Sequence, residues 1–199
     1  MEPASRTPPW LKLSLSSPRR ILPLDKSRTT ISASSMRFDW TERKIKSVSI
    51  SNTAIRETIE FVRTKARPWI DSNVEKASED PLTISQVGDL EIRLHAAEAL
   101  LQRAARFLDE AEEIPTETTV AKVSTAVAEA KVVTTEIAIL ATNKLFELAG
   151  TQSTLGKYNL NRHWRNARTH TLHDPVRWKY YAIGNYYLNN VNPPRHPWN

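Results

Sequence analysis

The sequence predicts an all-α protein, an up-and-down four-helix bundle. Two long stretches, residues 82–113 and 116–149, carry apolar side chains at spacings of three and four, the period of one face of an α-helix. Only four glycines occur in 199 residues, and no stretch shows the alternation or the turn pairs of a β-hairpin. Two long antiparallel helices with a short connection and shorter partners are typical of such bundles.

The N-terminal region differs from the rest of the chain. Residues 1–35 are rich in serine, proline and arginine and have no helical period, which predicts a disordered N-terminal extension. The same basic, acid-poor composition also occurs in organellar transit peptides, so mitochondrial targeting is the alternative to a cytoplasmic location. Met36 begins a transition into folded chain. We therefore divide the chain into a disordered basic extension and lead-in, 1–50, and a helical bundle, 51–199.

A first helix is predicted from about Thr53, where apolar residues begin to recur at spacings of three and four, and Pro68 ends or kinks it. A loop containing Asp80 and Pro81 follows. The two long helices then carry one apolar stripe each. Their members are Ile84, Val87, Leu90, Leu94, Ala97, Leu101, Ala104 and Leu108 in the first, and Val120, Val123, Val127, Ala130, Ile137, Ala141, Leu145 and Leu148 in the second.

The ends of these helices carry recognisable signals. Pro115 breaks the first long helix, Thr116 can cap the second, and Gly150 stands where a C-terminal cap glycine belongs. In the last part of the chain, Asp174 can cap a helix whose first position is Pro175. That helix has a stripe of its own, made of Val176, Tyr180, Ile183 and Tyr187.

Charge is distributed unevenly and limits the classes of partner. Residues 1–50 have a net charge of +6, residues 51–150 of −6 and residues 151–199 of +6. An acidic middle argues against a nucleic-acid-binding protein, which usually has a broad basic face on its folded core, and a basic tail fits a small phosphate ligand better. The chain has no cysteine and no run of eighteen apolar residues, so neither a cysteine zinc site nor a membrane span is predicted.

The segment RNARTHTLHDP, residues 165–175, places two arginines and two histidines within nine residues. His170 and His173 are three residues apart and could share a helix face, but no third ligand completes a metal site nearby, so no metal is expected. Arg165 and Arg168 either pair with the acidic middle helices or bind an anion. His173 either caps or hydrogen-bonds near the following aspartate or serves that anion site. The residues alone indicate an anion-binding, interfacial segment.

Two strings carry a resemblance to a known family. They are GTQSTLGKYNLNRHWRNARTHTLHDPVRWKYYAIGNYYLN, residues 150–189, and FVRTKARPWIDSNVEKASEDPLTISQVGDLEIRLHAAEALL, residues 61–101. Both resemble the C-terminal part of flavin-dependent monooxygenases built on the acyl-CoA dehydrogenase fold, of the sulfur-acquisition and dibenzothiophene-desulfurisation type. The resemblance covers about 51–199. In that family an N-terminal helical domain and a central β-domain precede a C-terminal four-helix bundle, and these residues match the bundle only.

The resemblance implies roles for matching positions. Arg67, in the RPW triplet, is similar to the arginine that meets the flavin phosphate, a task suited to a bidentate guanidinium. Thr151 and Gln152 resemble the turn that approaches the cofactor from a neighbouring subunit. His173 is similar to the histidine at the reactive edge of the flavin, where it would stabilise a flavin peroxide by hydrogen bonding. HTLHDP here replaces the E-G-T-type segment of ordinary acyl-CoA dehydrogenases, which favours oxygen chemistry over dehydrogenation.

The same resemblance implies the partners. The expected cofactor is reduced FMN supplied by a flavin reductase, in preference to FAD, and the expected assembly is a homo-oligomer, a dimer or tetramer. The expected function is that of the C-terminal domain of a monooxygenase-type flavin-dependent oxidoreductase acting on a small organosulfur substrate. We expect a truncated member or one half of a split enzyme, without catalysis of its own. The alternative is a non-enzymatic helical assembly domain that keeps the fold.

Overall fold

The computed structural model describes residues 46–172 and 175–194, and every regular element in this part of the chain is helical. The all-α prediction is therefore confirmed for the described residues, whereas the predicted disorder of 1–35 lies outside them. The α-helices are α1 (46–64), α2 (Pro81–Glu113), α3 (Glu117–Ala149), α4 (Asn161–Leu172) and α5 (Val176–Asn189). Within these residues no helix is long and apolar enough to cross a membrane.

The helix α1 includes residues ahead of its predicted start near Thr53, because residues 46–52 are already helical. The sequence hides this turn, since the side chains that it buries there are serines. Ser47 and Ser51 are both fully buried, and the Ser51 hydroxyl donates to the Ser47 carbonyl oxygen at 2.8 Å. The boundary drawn between lead-in and bundle at residue 50 therefore falls inside α1.

The helices α2 and α3 form an antiparallel hairpin of two 33-residue helices, close to the predicted 82–113 and 116–149. Asp80 caps α2, because its carboxylate accepts from the backbone nitrogen of Leu82 at 3.0 Å. Residues 114–116 connect the two helices. Thr116 and Thr119 then form a reciprocal capping box at the start of α3, with hydrogen bonds of 3.1 and 2.9 Å. The N-terminal ends of α2 and α3 are thus each capped by side chains close to that end in sequence.

The main core lies between α1, α2 and the C-terminal half of α3. Its buried members are Ala54, Ile55, Phe61, Leu90, Leu94, Ala97, Ile137, Ala141, Leu145, Ala149 and Leu160. Ile84, predicted to belong to the stripe of α2, is instead 56% exposed. The reason is the relative length of the helices: Arg63, at the end of α1, lies beside Glu91 in a shared surface hollow, so the first two turns of α2 project past α1.

The fourth position of the bundle is filled by α4 and α5 in succession. Both pack on α3. Tyr180 bonds the carboxylate of Glu136, and farther along α5 Tyr187 bonds that of Glu129 at 3.0 Å, so α5 runs antiparallel to α3. Two members of the predicted stripe, Tyr180 and Tyr187, thus reach α3 through their hydroxyl groups, although both side chains are more than half exposed. The start of α5 differs from the prediction by one residue, because Pro175 precedes the first helical residue, and the predicted cap Asp174 lies outside the described residues.

The two tyrosines that attach α5 to α3 have perturbed phenols. Hydrogen bonding to the Glu136 carboxylate, with burial and charge repulsion adding to it, raises the pKa of Tyr180 above its ordinary value. Burial and the hydrogen bond to Glu129 raise the pKa of Tyr187, against the opposing effect of Arg103. The two shifts share one contribution, since ionising either phenol would place a negative charge beside a carboxylate. Each phenol therefore stabilises the α3–α5 contact only while it is protonated.

Candidate functional site

The C-terminal ends of α1 and α3 lie together at one end of the bundle. The rings of Phe61, in the last turn of α1, and Tyr158, in the turns after α3, meet edge to face at 5.1 Å between centroids. This contact joins segments almost a hundred residues apart in sequence. We call residues 61–67 and 150–158 the α1–α3 end. It holds three of the four site residues predicted from the resemblance.

Arg67 lies in the connection after α1 and is exposed. The helix closes just before it, because the Phe61 carbonyl accepts from the backbone nitrogens of both Lys65 and Ala66, at 2.8 and 2.9 Å. Arg67 makes no ion pair with an acid among the described residues. Its guanidinium is therefore available to an anion from outside the bundle.

Thr151 and Gln152 begin a short 3-10 turn directly after α3 and are both exposed. Gly150 makes this turn, because its φ of 72° lies in the region that favours glycine. The turn is held by Ser153, whose hydroxyl donates to the Gly150 carbonyl at 2.6 Å. Within the described residues, the side chains of Thr151 and Gln152 make no hydrogen bond. A hydroxyl and an amide are therefore presented to solvent beside the loop that carries Arg67.

The helix α4 is fixed to α1 through one carboxylate. Glu57 accepts from Arg162, and its second oxygen lies 2.9 Å from Nε2 of His163. His163 is buried, with Ala167 and Thr171 following it on the inner face of α4. Sequence reasoning missed this pairing, because Glu57 and His163 are 106 residues apart. The contact of Glu57 with His163 determines which face of α4 turns outward.

The outward face of α4 carries Arg165 and Arg168, both exposed. Arg165 reaches the side chain of Asn161 at 3.4 Å, and neither arginine pairs with an acidic residue of the described chain. The alternative that they pair with the acidic middle helices is thus not what the structure shows. His173, the predicted catalytic residue, lies outside the described residues, between α4 and α5. Among the residues described, no three metal-ligating side chains come together.

Sequence reasoning also missed two lysines at the α1–α3 end. Lys65 Nζ lies 5.3 Å from the centre of the Tyr158 ring, and Lys157 Nζ lies 4.9 Å from it. Lys65 also lies 5.1 Å from the Phe61 ring, and its spacing of four from Phe61 was visible in the sequence. The contact of Lys65 with Tyr158 was not, because only the turn after α3 creates it.

The donors at this end suit a phosphorylated, polyhydroxylated ligand such as FMN. The Arg67 guanidinium, which pairs with no acid of the described residues, fits a phosphate, and the hydroxyl of Thr151 and the amide of Gln152 fit the polyol and amide groups of such a molecule. No hydrogen bond of the described residues joins Arg67 to Thr151 or Gln152 directly. These side chains share an end of the bundle without bonding to one another.

Comparison with known proteins gives consistent results. The family described as acyl-CoA dehydrogenase, C-terminal domain, matches residues 47–178. Dibenzothiophene monooxygenase from Mycolicibacterium goodii is 38% identical over 149 residues, which are 73% of this chain and 36% of that protein. The chain therefore spans little more than a third of that relative's length.

Two solved structures are similar in fold and in sequence. Methanesulfinate monooxygenase MsuC from Pseudomonas fluorescens has a TM-score of 0.73 and 33% identity, over 77% of this chain and 40% of that one. TdsC from Paenibacillus sp. A11-2, in complex with FMN and indole, has a TM-score of 0.75 and 30% identity, over 83% of this chain and 42% of that one.

Proposed function

Because the chain belongs to the acyl-CoA dehydrogenase C-terminal domain family, we propose that it is the cofactor-binding helical part of an FMN-dependent monooxygenase acting on a small organosulfur compound. One observation of the structure carries the proposal: Arg67, Thr151 and Gln152 lie at one end of one bundle, with donors that no acidic side chain of the described chain occupies. Similarity to TdsC, solved with FMN, and to monooxygenases of dibenzothiophene and methanesulfinate supports the cofactor and the substrate class.

In this proposal the residues of the bundle bind and orient, and the flavin supplies the electrons for activating dioxygen. Arg67 binds the phosphate, while Thr151 and Gln152 reach polar groups of the flavin that a neighbouring subunit holds, as the resemblance implies. His173 is assigned, from the resemblance alone, to hydrogen bonding at the reactive edge of the flavin. A histidine suits that place because it can donate a hydrogen bond and move a proton near neutral pH.

The chain covers only part of the length of its relatives, and this limits the flavin and substrate contacts that it can make alone. The relatives are more than twice as long as the matched part, so most contacts to the flavin ring and the substrate come from elsewhere in them. We therefore propose weak flavin binding by these 199 residues and no turnover without the remaining domains. A flavin reductase that supplies reduced FMN, and a cytoplasmic location, belong to the same proposal.

A homo-oligomer, dimer or tetramer, is also part of the proposal. The outer face of α5 presents Trp178, Tyr181 and Leu188, which are 61%, 63% and 81% exposed. These residues follow one another at spacings of three and seven and form an apolar stripe on the side away from α3. The same stripe is the observation that favours the second candidate, a non-enzymatic assembly domain, because an exposed apolar surface of this kind indicates association.

The first experiment is a titration of the full chain with FMN, followed by the quenching of flavin fluorescence. We expect binding in the micromolar-to-millimolar range. Arg67→Ala should weaken it about five- to tenfold, which corresponds to roughly 1 kcal/mol for a solvated charge-assisted contact. Arg63→Ala, an exposed arginine in the last turns of α1, is the matched control and should change nothing. Binding that is equal in both variants, or absent at millimolar FMN, would contradict the proposed cofactor site and favour the assembly domain.

The second experiment tests His173 in a reconstituted system, with the missing domains supplied as a separate chain together with reduced FMN. His173→Ala should keep FMN affinity and divert reduced flavin to hydrogen peroxide. The yield of oxygenated product per reduced flavin is the quantity to measure. An unchanged yield would remove His173 from the mechanism without affecting the role of Arg67.

A further inference from the structure

The side chains of Lys65, Lys157 and Tyr158 form a cluster of donors at the α1–α3 end, and we propose that this cluster binds a phosphate-class anion. The structure brings the two lysines to one ring from different segments, the end of α1 and the turn after α3. Their nitrogens lie 5.3 and 4.9 Å from the centre of the Tyr158 ring. The two ammonium groups are therefore no more than 10.2 Å apart.

The ring between the lysines has a fixed position. Tyr158 is half-buried, and its edge-to-face contact is made with Phe61, whose side chain is almost fully buried and belongs to the main core. An aromatic face attracts an ammonium group without neutralising its charge. The ring thus keeps both lysines near one place while leaving their protons available as donors.

No acidic side chain of the described residues neutralises this cluster. None of the ion pairs in that part of the chain includes Lys65 or Lys157, and the Tyr158 hydroxyl makes no hydrogen bond there. The acids nearest in sequence to Lys65 are Glu60, Asp71 and Glu57, and each has other neighbours. Asp71 accepts from Trp69 Nε1 at 2.9 Å. Glu57 is engaged by α4, and Glu60 lines the hollow toward α2 with Arg56 and Arg63.

Two ammonium groups that lie within 10.2 Å of each other, and that pair with no acid of the described residues, favour a dianion over a single carboxylate, because flexible lysine side chains can both turn toward it. A phosphate monoester carries close to two negative charges and three acceptor oxygens near neutral pH, so it can accept from both lysines and from the phenol. A carboxylate has one charge and a shorter reach. Because the lysines are exposed, the attraction should be modest and should fall as salt is raised.

Two ligands could supply such a phosphate group to the cluster: a phosphorylated flavin and free inorganic phosphate. The site rests on its own three residues and does not require the flavin proposal. FMN and riboflavin distinguish the sources, because they share the ring and the ribityl chain and differ by the phosphate.

The experiment titrates the ¹⁵N-labelled full chain with inorganic phosphate and follows amide shifts at the α1–α3 end. The same chain is titrated with FMN and with riboflavin by fluorescence. Lys65→Gln and Lys157→Gln remove one charge each, and Lys122→Gln, an exposed lysine near the start of α3 at the opposite end of the bundle, removes the same charge as a control. We expect saturable shifts with phosphate and a loss of affinity of about two- to fivefold in each of the first two variants, as for exposed charge pairs, with none in the control.

The outcomes separate this proposal from the proposed function. Phosphate binding that depends on both lysines supports the site even if FMN does not bind. If FMN affinity falls in the same variants while riboflavin affinity does not, the phosphate of the flavin is the ligand. Shifts that do not saturate, or that weaken equally in the Lys122 variant, would mean only general charge attraction and would overturn the site. That result would leave an Arg67-dependent binding of FMN intact.

Discussion

Replacing Glu57 by alanine should detach α4 from α1 and lower the stability of the whole bundle. The Glu57 carboxylate accepts from Arg162 and His163 at once, and its side chain is 32% exposed while that of His163 is 8% exposed. The partly exposed ion pair with Arg162 contributes about 0.5–1 kcal/mol. Leaving the buried imidazole without its partner costs about 1–3 kcal/mol.

Together these contributions predict a loss of about 2–3 kcal/mol in the free energy of unfolding, since water can replace part of the contact at a site that is one-third exposed. For a chain of this size that corresponds to a fall in Tm of about 4–12 °C. The measurement is urea denaturation followed by helical circular dichroism, supported by thermal melting. Glu60→Ala is the control, because Glu60 lies one turn away on α1 and makes no ion pair among the described residues.

A double-mutant cycle isolates the pair. The effects of Glu57→Ala and His163→Ala should add to more than the effect of the double variant, because either change alone already removes their hydrogen bond. Full additivity of the two single changes would refute the view that one carboxylate fixes α4. So would a loss of stability in Glu57→Ala that lies within 0.5 kcal/mol of the loss in Glu60→Ala, which is about the uncertainty of such differences.

Two further predictions concern the α1–α3 end and α5. Gly150→Ala should destabilise the chain by about 1 kcal/mol, because φ is 72° there. Gly88→Ala is the control, because Gly88 lies within α2 and an added methyl there meets nothing within 4 Å. This change should stabilise the chain by about 0.5–1 kcal/mol. Urea midpoints that move in the same direction for the Gly150 and Gly88 variants would contradict the strain argument. Tyr180→Phe should cost about 1 kcal/mol and Tyr181→Phe almost nothing. Since the folded pKa of Tyr180 is raised, its contribution is complete below the ordinary tyrosine pKa and is lost as pH rises through the raised value. Stability of the wild type should therefore fall faster than that of Tyr180→Phe above about pH 10, and parallel pH profiles would refute the assignment.

The parts of the fold that could be predicted are those that neighbouring residues determine. The ends of α2 and α3 are set by Asp80, Pro115 and the threonines at the start of α3, so local signals were enough. The start of α1 could not be found, because Ser47 and Ser51 are buried where an apolar period would have marked the helix. The exposure of Ile84 depends on the length of a different helix and has no signal in its own segment.

The site shows the same division. The resemblance selected Arg67, Thr151 and Gln152, and the structure places all three at the α1–α3 end, where their part in binding FMN stays a prediction. The contacts that organise the site join residues far apart in sequence, Glu57 to α4 and Lys65 to Tyr158. Periodicity in one segment carries no information about its partner across the bundle, so these contacts could not be predicted from a single sequence.

The hairpin of α2 and α3 has a consequence for the order in which the chain folds. The two helices are capped by their own neighbours and joined by only three residues, so bringing them together costs little loop-closure entropy. Their contacts close to the connection are short-range in sequence, and from there the separation grows gradually, to 26 residues between Arg103 and Glu129 and 58 between Gln86 and Lys144. Short-range contacts form fastest, so the hairpin can close from the connection outward. Glu57 and His163, in contrast, must meet across 106 residues. The Phe61–Tyr158 contact of the α1–α3 end also joins distant segments, so we expect the hairpin to form first and both of these contacts to be completed on it.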